Sequence, residues 1–424
     1  MTNTRVELEL DGQPITLLAD SGSHATTVIS GDWYEHLYGK GSCKYVVSGC
    51  YFCPASDPCN LESLSNAEVN EIGYGDGKIV HFSTRTVSLK VGKTVLNDFT
   101  VGLIINSTAV RRNEQPFAIL GLDMKLEVLA NSADRKLSTQ LTFLDQLVYA
   151  GVIARNTFAI YASDHNQGIN GQLVIGGQAR ENQAKGEVMA LPFWTDRVSS
   201  QLAFDVRAAE AVATTTNEIQ RIDFANEGKR LRAFLDTGAT ATVLDEAIFK
   251  LMWKAIETEF GSKNVDASMS SSDPTEFTDR KELSVCICYD GSLWIRKKLI
   301  NRLPVIKLEV NSEPHISIVH LSLRNHIQAC QSGWCIISVQ HYLPVDHTGD
   351  FIILGEHFFL QYDTHIDLSK KVVSLSLPKR PVKVRYQSVA EYNEHHYPVC
   401  RNVGKRQAGM SWLVRSCFGL NGES

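Results

Sequence analysis

Residues 17–28 read LLADSGSHATTV, an apolar, β-prone run that carries an aspartate straight into Ser-Gly-Ser. Alone, Asp20-Ser21-Gly22 is an ordinary strand-ending turn. At average residue usage an Asp-[Ser/Thr]-Gly triplet arises roughly 0.2 times in a chain of this length. Residues 233–244, however, read AFLDTGATATVL. With the aspartates superposed, the two windows share Asp, Gly and an Ala-Thr pair, Ala25-Thr26 and Ala241-Thr242. Asp20 and Asp236 stand half of the 424-residue chain apart, the spacing of an internal duplication.

Composition suits two lobes of ordinary domain size. The chain is 43% hydrophobic and 21% charged, enough for a sizeable core. No apolar run approaches the roughly 18 residues that span a membrane. Met1 leads almost at once into VELEL, so no signal peptide is visible. Ten cysteines, partly clustered, favour an oxidising compartment, and Asn106-Ser107-Thr108 is a glycosylation acceptor that fits it. The net charge of −5 is uneven: from Lys379 onward eight Lys/Arg face three Glu, leaving the body acidic. An acidic body argues against nucleic-acid binding by phosphate neutralisation.

The coarse pattern is mainly β. VELEL, PITLLA, VSLKV, QLVIGG, FDVRA, IKLEV, FIIL and VVSLSL are apolar or alternating runs bounded by turn residues. Helical patterns are confined to stretches such as 141–151 and 245–260. A second element follows each aspartate motif: FAILGLDM (117–124) in the first half and FIILGEHFF (351–359) in the second. Taken singly, each is a buried strand ending in a turn. Their shared order, apolar-Asp-[Ser/Thr]-Gly and then about a hundred residues later apolar-apolar-Gly, carries the information.

That order resembles the pepsin-like, two-lobe aspartic proteases of eukaryotes, over roughly residues 5 to 378. Tyr74-Gly75-Asp76-Gly77, QLVIGG at 172–177 and YDTHIDLSKKVVSLS at 362–376 add to the likeness. The resemblance implies a mainly β, bilobal fold with pseudo-twofold related lobes and a central cleft. Residues 1–188 would form the first lobe with its loop and flap, 189–378 the second, and 379–424 a basic extension of no assigned role. It further implies an aspartic endopeptidase that needs no cofactor or metal, works as a monomer on peptide or protein substrates, and takes pepstatin-type inhibitors. Its expected location is the secretory pathway, either secreted or in an acidic endolysosomal or vacuolar compartment.

The chemistry explains the residue types. Two carboxylates sharing a proton can activate a water on one side and polarise a carbonyl on the other, and their titration belongs to the pair. Asp20 and Asp236 would be that dyad. Gly22 and Gly238 let backbone approach without a side chain in the way. By resemblance, the Ser21 and Thr237 hydroxyls bind across the lobe boundary, and Ser23 hydrogen-bonds the outer oxygen of Asp20. His24 beside the first loop reads as a turn histidine, with no Ser-His-Asp context around it.

Two positions depart from the family pattern. Ala239 stands where Ser23 has a hydroxyl, so its carboxylate loses a donor and titrates higher; the expectation is an acid limb of activity displaced toward neutral pH. Thr27 replaces the tryptophan that anchors the flap tyrosine in relatives. EIGYGDGKIVHF (71–82) reads as a glycine-tipped hairpin. In the pepsin-like frame it is the flap, with Tyr74 over the scissile region, Gly75 and Asp76 bonding substrate backbone, and Asp76 placed to pair a substrate lysine.

Cys43, Cys50, Cys53 and Cys59 could bind zinc, but only one C-x2-C is present, and two disulfides in one of three connectivities suit the secretory context better. In the second half the resemblance pairs Cys330 with Cys286 or Cys288. The rival to an enzyme is a catalytically silent pepsin-like protein that binds peptide or protein in its cleft. Both loops keep Asp, hydroxyl and Gly, which favours the enzyme.

Overall fold

The computed structural model describes residues 1–66, 68–111, 114–124, 141–165, 168–177, 184–193, 202–226, 228–270, 285–289, 292–312, 315–341, 351–378 and 383–384. The first lobe begins with a hairpin, Arg5–Leu10 and Gln13–Asp20. Its turn residues Asp11 and Gly12 have φ of 47° and 75°, the two positive values a tight two-residue hairpin demands. Along Gln13–Asp20 the alternate residues Ile15, Leu17 and Ala19 are buried, so the strand is anchored by one apolar face and ends at the carboxylate.

This hairpin starts a seven-stranded sheet that continues through Ile119–Gly121, Thr27–Ile29, Thr94–Ser107, Ile79–Val91 and Val69–Gly73. Gln13–Asp20 runs parallel to Ile119–Gly121, with Asp20 opposite Gly121. Thr27–Ile29, returning from the loop, meets the same strand antiparallel. The second lobe repeats the construction. Leu231–Leu235 runs parallel to Phe351–Leu354, with Leu235 opposite Leu354, and Thr242–Val243 meets Phe351–Leu354 antiparallel. The repeated apolar-apolar-Gly element is thus the strand threaded beneath each aspartate loop. Its glycine is required by that threading: a Cβ on Gly121 would lie 2.6 Å from Ala25 O, and one on Gly355 would lie 2.4 Å from Ala241 O.

The second lobe's larger sheet runs His315–Ser322, Val305–Ser312, Ala203–Val212, Leu231–Leu235, Phe351–Leu354, Thr242–Val243 and Val339–Gln340, with Ile219–Asp223 added on Ala203–Val212. A five-stranded sheet runs Val265–Ser270, Cys286–Tyr289, Ser292–Arg296, Trp334–Ile337 and Ile327–Gln331. A six-stranded sheet draws on both halves. Val372–Pro378 pairs Ala184–Pro192, Asp363–Asp367 pairs Thr157–His165, and Ile169–Ile175 and Lys383–Val384 flank the latter. One contiguous apolar core runs through it, joining Leu17, Leu120 and Phe158 to Phe204, Leu235, Ile352 and Phe358.

The two helical stretches read from sequence form Phe143–Tyr149 and Glu246–Phe260. The first opens on a Thr142/Asp145 capping box. The second opens with the Asp245 side chain accepting from Ala247 N and ends at Gly261, where φ is +85°. Its buried stripe, Ile248, Met252, Ala255 and Ile256, follows the helical period.

Two disulfides staple the loop beyond Asp20, Cys43–Cys50 and Cys53–Cys59, which settles their connectivity. The expected Cys330 pairing with Cys286 or Cys288 is corrected: Cys330 bonds Cys335. These two face each other across the antiparallel strands Ile327–Gln331 and Trp334–Ile337, with Cα atoms 4.0 Å apart. Cys286 lies opposite Ile295, which in turn lies opposite Cys335, so a strand intervenes. The side chain of Cys288, and Cys400 and Cys417 of the basic extension, lie outside the described residues.

Candidate active site

The two strands deliver Asp20 and Asp236 to one point between the lobes, and the glycines after them interlock. A Cβ on Gly22 would sit 2.6 Å from Asp236 Cγ, and one on Gly238 would sit 2.5 Å from Asp20 Oδ1. Each loop therefore leaves out a side chain so that the other loop's carboxyl can occupy the space. This close approach makes glycine obligatory at both positions.

Reciprocal hydrogen bonds lock the loops together. Thr237 Oγ1 donates to Ala19 O at 2.6 Å and accepts from Ser21 N at 3.0 Å. Ser21 Oγ donates to Leu235 O at 2.8 Å and accepts from Thr237 N at 3.0 Å. Both hydroxyls are fully buried. Each hydroxyl satisfies one donor and one acceptor of the opposite strand, so neither lobe can shift without breaking four bonds at once.

The carboxyls themselves differ. Asp20 Oδ1 accepts from Gly22 N at 2.8 Å and its Oδ2 from the Ser23 hydroxyl at 2.6 Å. Asp236 Oδ1 accepts from Gly238 N at 2.8 Å and from Ala239 N at 3.1 Å, and Ala239 supplies no hydroxyl for Oδ2. Burial, and then the neighbouring Asp20, push the Asp236 carboxyl well above the usual range, against the pull of those two amides. The surroundings therefore favour the neutral form at Asp236, while the titration belongs to the pair.

The hairpin of Val69–Gly73 and Ile79–Val91 presents Tyr74, Gly75 and Asp76 at its tip. Tyr74 packs on an apolar cluster that includes Ile29, Trp33, Tyr34, Val80, Phe82 and the Cys43–Cys50 bridge. Burial and the proximity of Asp20 push its phenol far up, so it stays neutral. The Thr27 hydroxyl opposes that rise, yet meets no partner at hydrogen-bonding geometry. The flap tyrosine is thus held by packing rather than by a ring nitrogen. Gly75 and Asp76 are exposed. Asp76 already meets Lys78 Nζ at 2.6 Å, and Lys78 meets Glu114 at 2.7 Å, so a substrate lysine would compete with the flap's own. Asn106 is exposed on Thr94–Ser107, and Thr108 Oγ1 is taken up by Ile79 N at 2.8 Å.

Several residues under the loops escaped the sequence reading. Asp123, 4% exposed, donates its N–H to Ser23 O at 2.9 Å, and Glu356 donates likewise to Ala239 O at 2.8 Å. The underlying strand of each lobe thus ends in a buried carboxylic acid that holds the loop above it. Burial pushes the Asp123 carboxyl well up, helped by Asp20. Beside Glu356 lie three buried histidines, His165, His326 and His357. GEHFF carried this signal in its polar residues, which an apolar-periodicity reading passes over.

Comparison with known proteins accords with this geometry. The profile of the family described as eukaryotic aspartyl protease matches residues 3–377. A search of curated proteins finds no match. The crystal structure of the aspartic proteinase from Irpex lacteus superposes with a TM-score of 0.61 at 14% identity, covering 88% of this chain and 94% of that one. At that identity the likeness concerns the fold.

Proposed function

Since the chain belongs to the eukaryotic aspartyl protease family, we propose that it is an active endopeptidase whose dyad is Asp20 and Asp236. The observation that carries this reading is the interlocked pair of loops, each keeping Asp, hydroxyl and glycine, with all four grip bonds formed. A silent descendant has no need to keep glycine at two positions whose only demand is room for the other carboxyl.

The donor sets divide the labour. Asp20, braced by a hydroxyl and an amide, carries the shared negative charge and takes a proton from a water lodged between the carboxyls. Asp236, holding the shared proton, gives it to the substrate carbonyl oxygen as the water attacks. The resulting gem-diol collapses as Asp20 passes its proton to the leaving nitrogen, the C–N bond breaks and a diol hydroxyl returns a proton to Asp236, which frees amine and acid and restores the dyad. Tyr74 and the apolar cluster beneath it would exclude bulk water and favour apolar residues around the scissile bond. The pairing of Asp76 with Lys78 weakens the case for lysine there. Family membership also supports a secreted or endolysosomal setting and peptide-like inhibitors; no helix among the described residues is long and apolar enough to cross a membrane.

The test is cleavage of a quenched fluorescent peptide library from pH 3 to 7 by wild type, Asp20→Asn and Asp236→Asn. Turnover abolished by both substitutions supports the dyad. Folded wild type that binds a pepstatin-type inhibitor without cleaving anything would replace the enzyme with a peptide-binding protein.

A further inference from the structure

The second aspartate loop lacks the hydroxyl brace that Ser23 gives the first, and it is held from beneath instead. His357, fully buried at the start of the helix Glu356–Gln361, sets its Nδ1 3.2 Å from Thr240 O. A carbonyl can only accept, so Nδ1 carries the proton and donates. His326, also fully buried, donates from Nδ1 to Ser322 O at 3.1 Å, which leaves Nε2 to meet the Thr242 hydroxyl at 3.1 Å. Thr240 and Thr242 are the fourth and sixth residues after Asp236, so both imidazoles grip the chain as it leaves the loop.

The surroundings leave little room for further charge. The rings of His165 and His357 are 4.8 Å apart, and those of His326 and His357 are 5.6 Å apart and stacked. His165 Nε2 stands 3.9 Å from Glu356 Oε2, while Glu356 Oε1 accepts from the Thr4 hydroxyl. Arg5 faces the same Glu356. Arg5 and Glu356 therefore offset each other, and a proton added to His326 or His357 is an uncompensated cation in a buried site. His357 Nε2 faces the Ile327 backbone without reaching hydrogen-bonding geometry, so a proton there would gain little to offset its burial.

We propose that His357 is a positioning residue of the second aspartate loop that works only as the neutral imidazole, so that charging the stacked His357–His326 pair releases the loop and sets the acid limit of activity. The inference rests on the endopeptidase reading and deepens it. It makes acid inactivation a local event at the loop, distinct from protonation of the dyad. Burial, with the neighbouring imidazoles, holds His357 well below the usual histidine range, in keeping with a group kept neutral in mildly acidic conditions.

The experiment compares His357→Asn, whose amide can donate to Thr240 O but takes no proton, with His357→Leu, which cannot donate. His357→Leu should lower kcat by about tenfold or more with KM changed less than about threefold, the mark of lost positioning. His357→Asn should recover most of that kcat and carry the acid limb of kcat to lower pH than wild type. The thermal midpoint of His357→Asn should also fall less than that of wild type between pH 7 and pH 4. Wild type with turnover, alongside a folded His357→Asn whose acid limb and thermal slope both coincide with it, would overturn the inference and leave the enzyme standing. A His357→Leu protein with undiminished kcat would overturn it too. Wild type without turnover would overturn the proposed function and this inference together.

Discussion

Restoring the missing hydroxyl by Ala239→Ser tests how the dyad divides its proton. In the first loop Ser23 Oγ lies 2.6 Å from Asp20 Oδ2. The second loop has the same backbone donors, Gly238 N and Ala239 N on Asp236 Oδ1, and a methyl where the hydroxyl would be. A serine there would give Asp236 a charge-assisted bond worth about 1.5–3 kcal/mol to the ionised form. At about 1.4 kcal/mol per pK unit that is a drop of about one to two units. On the proposed mechanism Asp236 holds the shared proton, so its loss closes the active range from above. Ala239→Ser should pull the alkaline limb of kcat/KM down by about one to two pH units and leave the acid limb in place. The sequence led us to expect the missing donor to displace the acid limb toward neutral pH; on the proposed mechanism its effect falls on the alkaline limb instead. The assay is kcat/KM for one quenched peptide from pH 3 to 8. An alkaline limb that stays put in a folded variant, or an acid limb that moves instead, would refute the assignment of the proton to Asp236.

Three further outcomes are expected. Gly22→Ala places a methyl 2.6 Å from Asp236 Cγ, so kcat should fall by about a hundredfold or more while circular dichroism stays native. Thr237→Val keeps the shape but strands Ser21 N and abandons Ala19 O, which should cost about 2–4 kcal/mol, read from urea midpoints. His326 is pushed down to about 4 by burial, from about 6.5 when unfolded. The unfolded chain thus binds that proton first as the pH falls. Its contribution to stability is intact above about 6.5 and is lost progressively down to about 4, by about 3 kcal/mol. His326→Gln should flatten the slope of unfolding free energy between pH 6.5 and 4 by that amount.

The two loops were legible because their demands are local and doubled. An aspartate at a strand end, a hydroxyl and an obligatory glycine occur within three residues, twice, and the apolar-apolar-Gly strands that thread beneath them were quoted before their role was visible. The helices at 143–149 and 246–260 lie within the two helical stretches read at 141–151 and 245–260. What escaped depends on register and on contacts between distant segments. Cys330 bonds Cys335 because two strands set them opposite each other, a fact that cysteine counting does not contain. Thr4, His165, His326 and Glu356 come from four separate parts of the chain, and no periodicity marks residues that meet only when both lobes are built.

The threaded strands also set an order of assembly during synthesis. The strand threaded beneath the first loop is complete by residue 121, but the second loop must await Phe351–Leu354 and the helix that follows. At about 5–20 residues per second, the interval is on the order of ten to fifty seconds. Through that time the nascent chain carries one carboxyl in place and none to share its proton with. On the proposed reading no cleavage can begin until Phe351–Leu354 has been made, because that strand completes the loop of the second carboxyl.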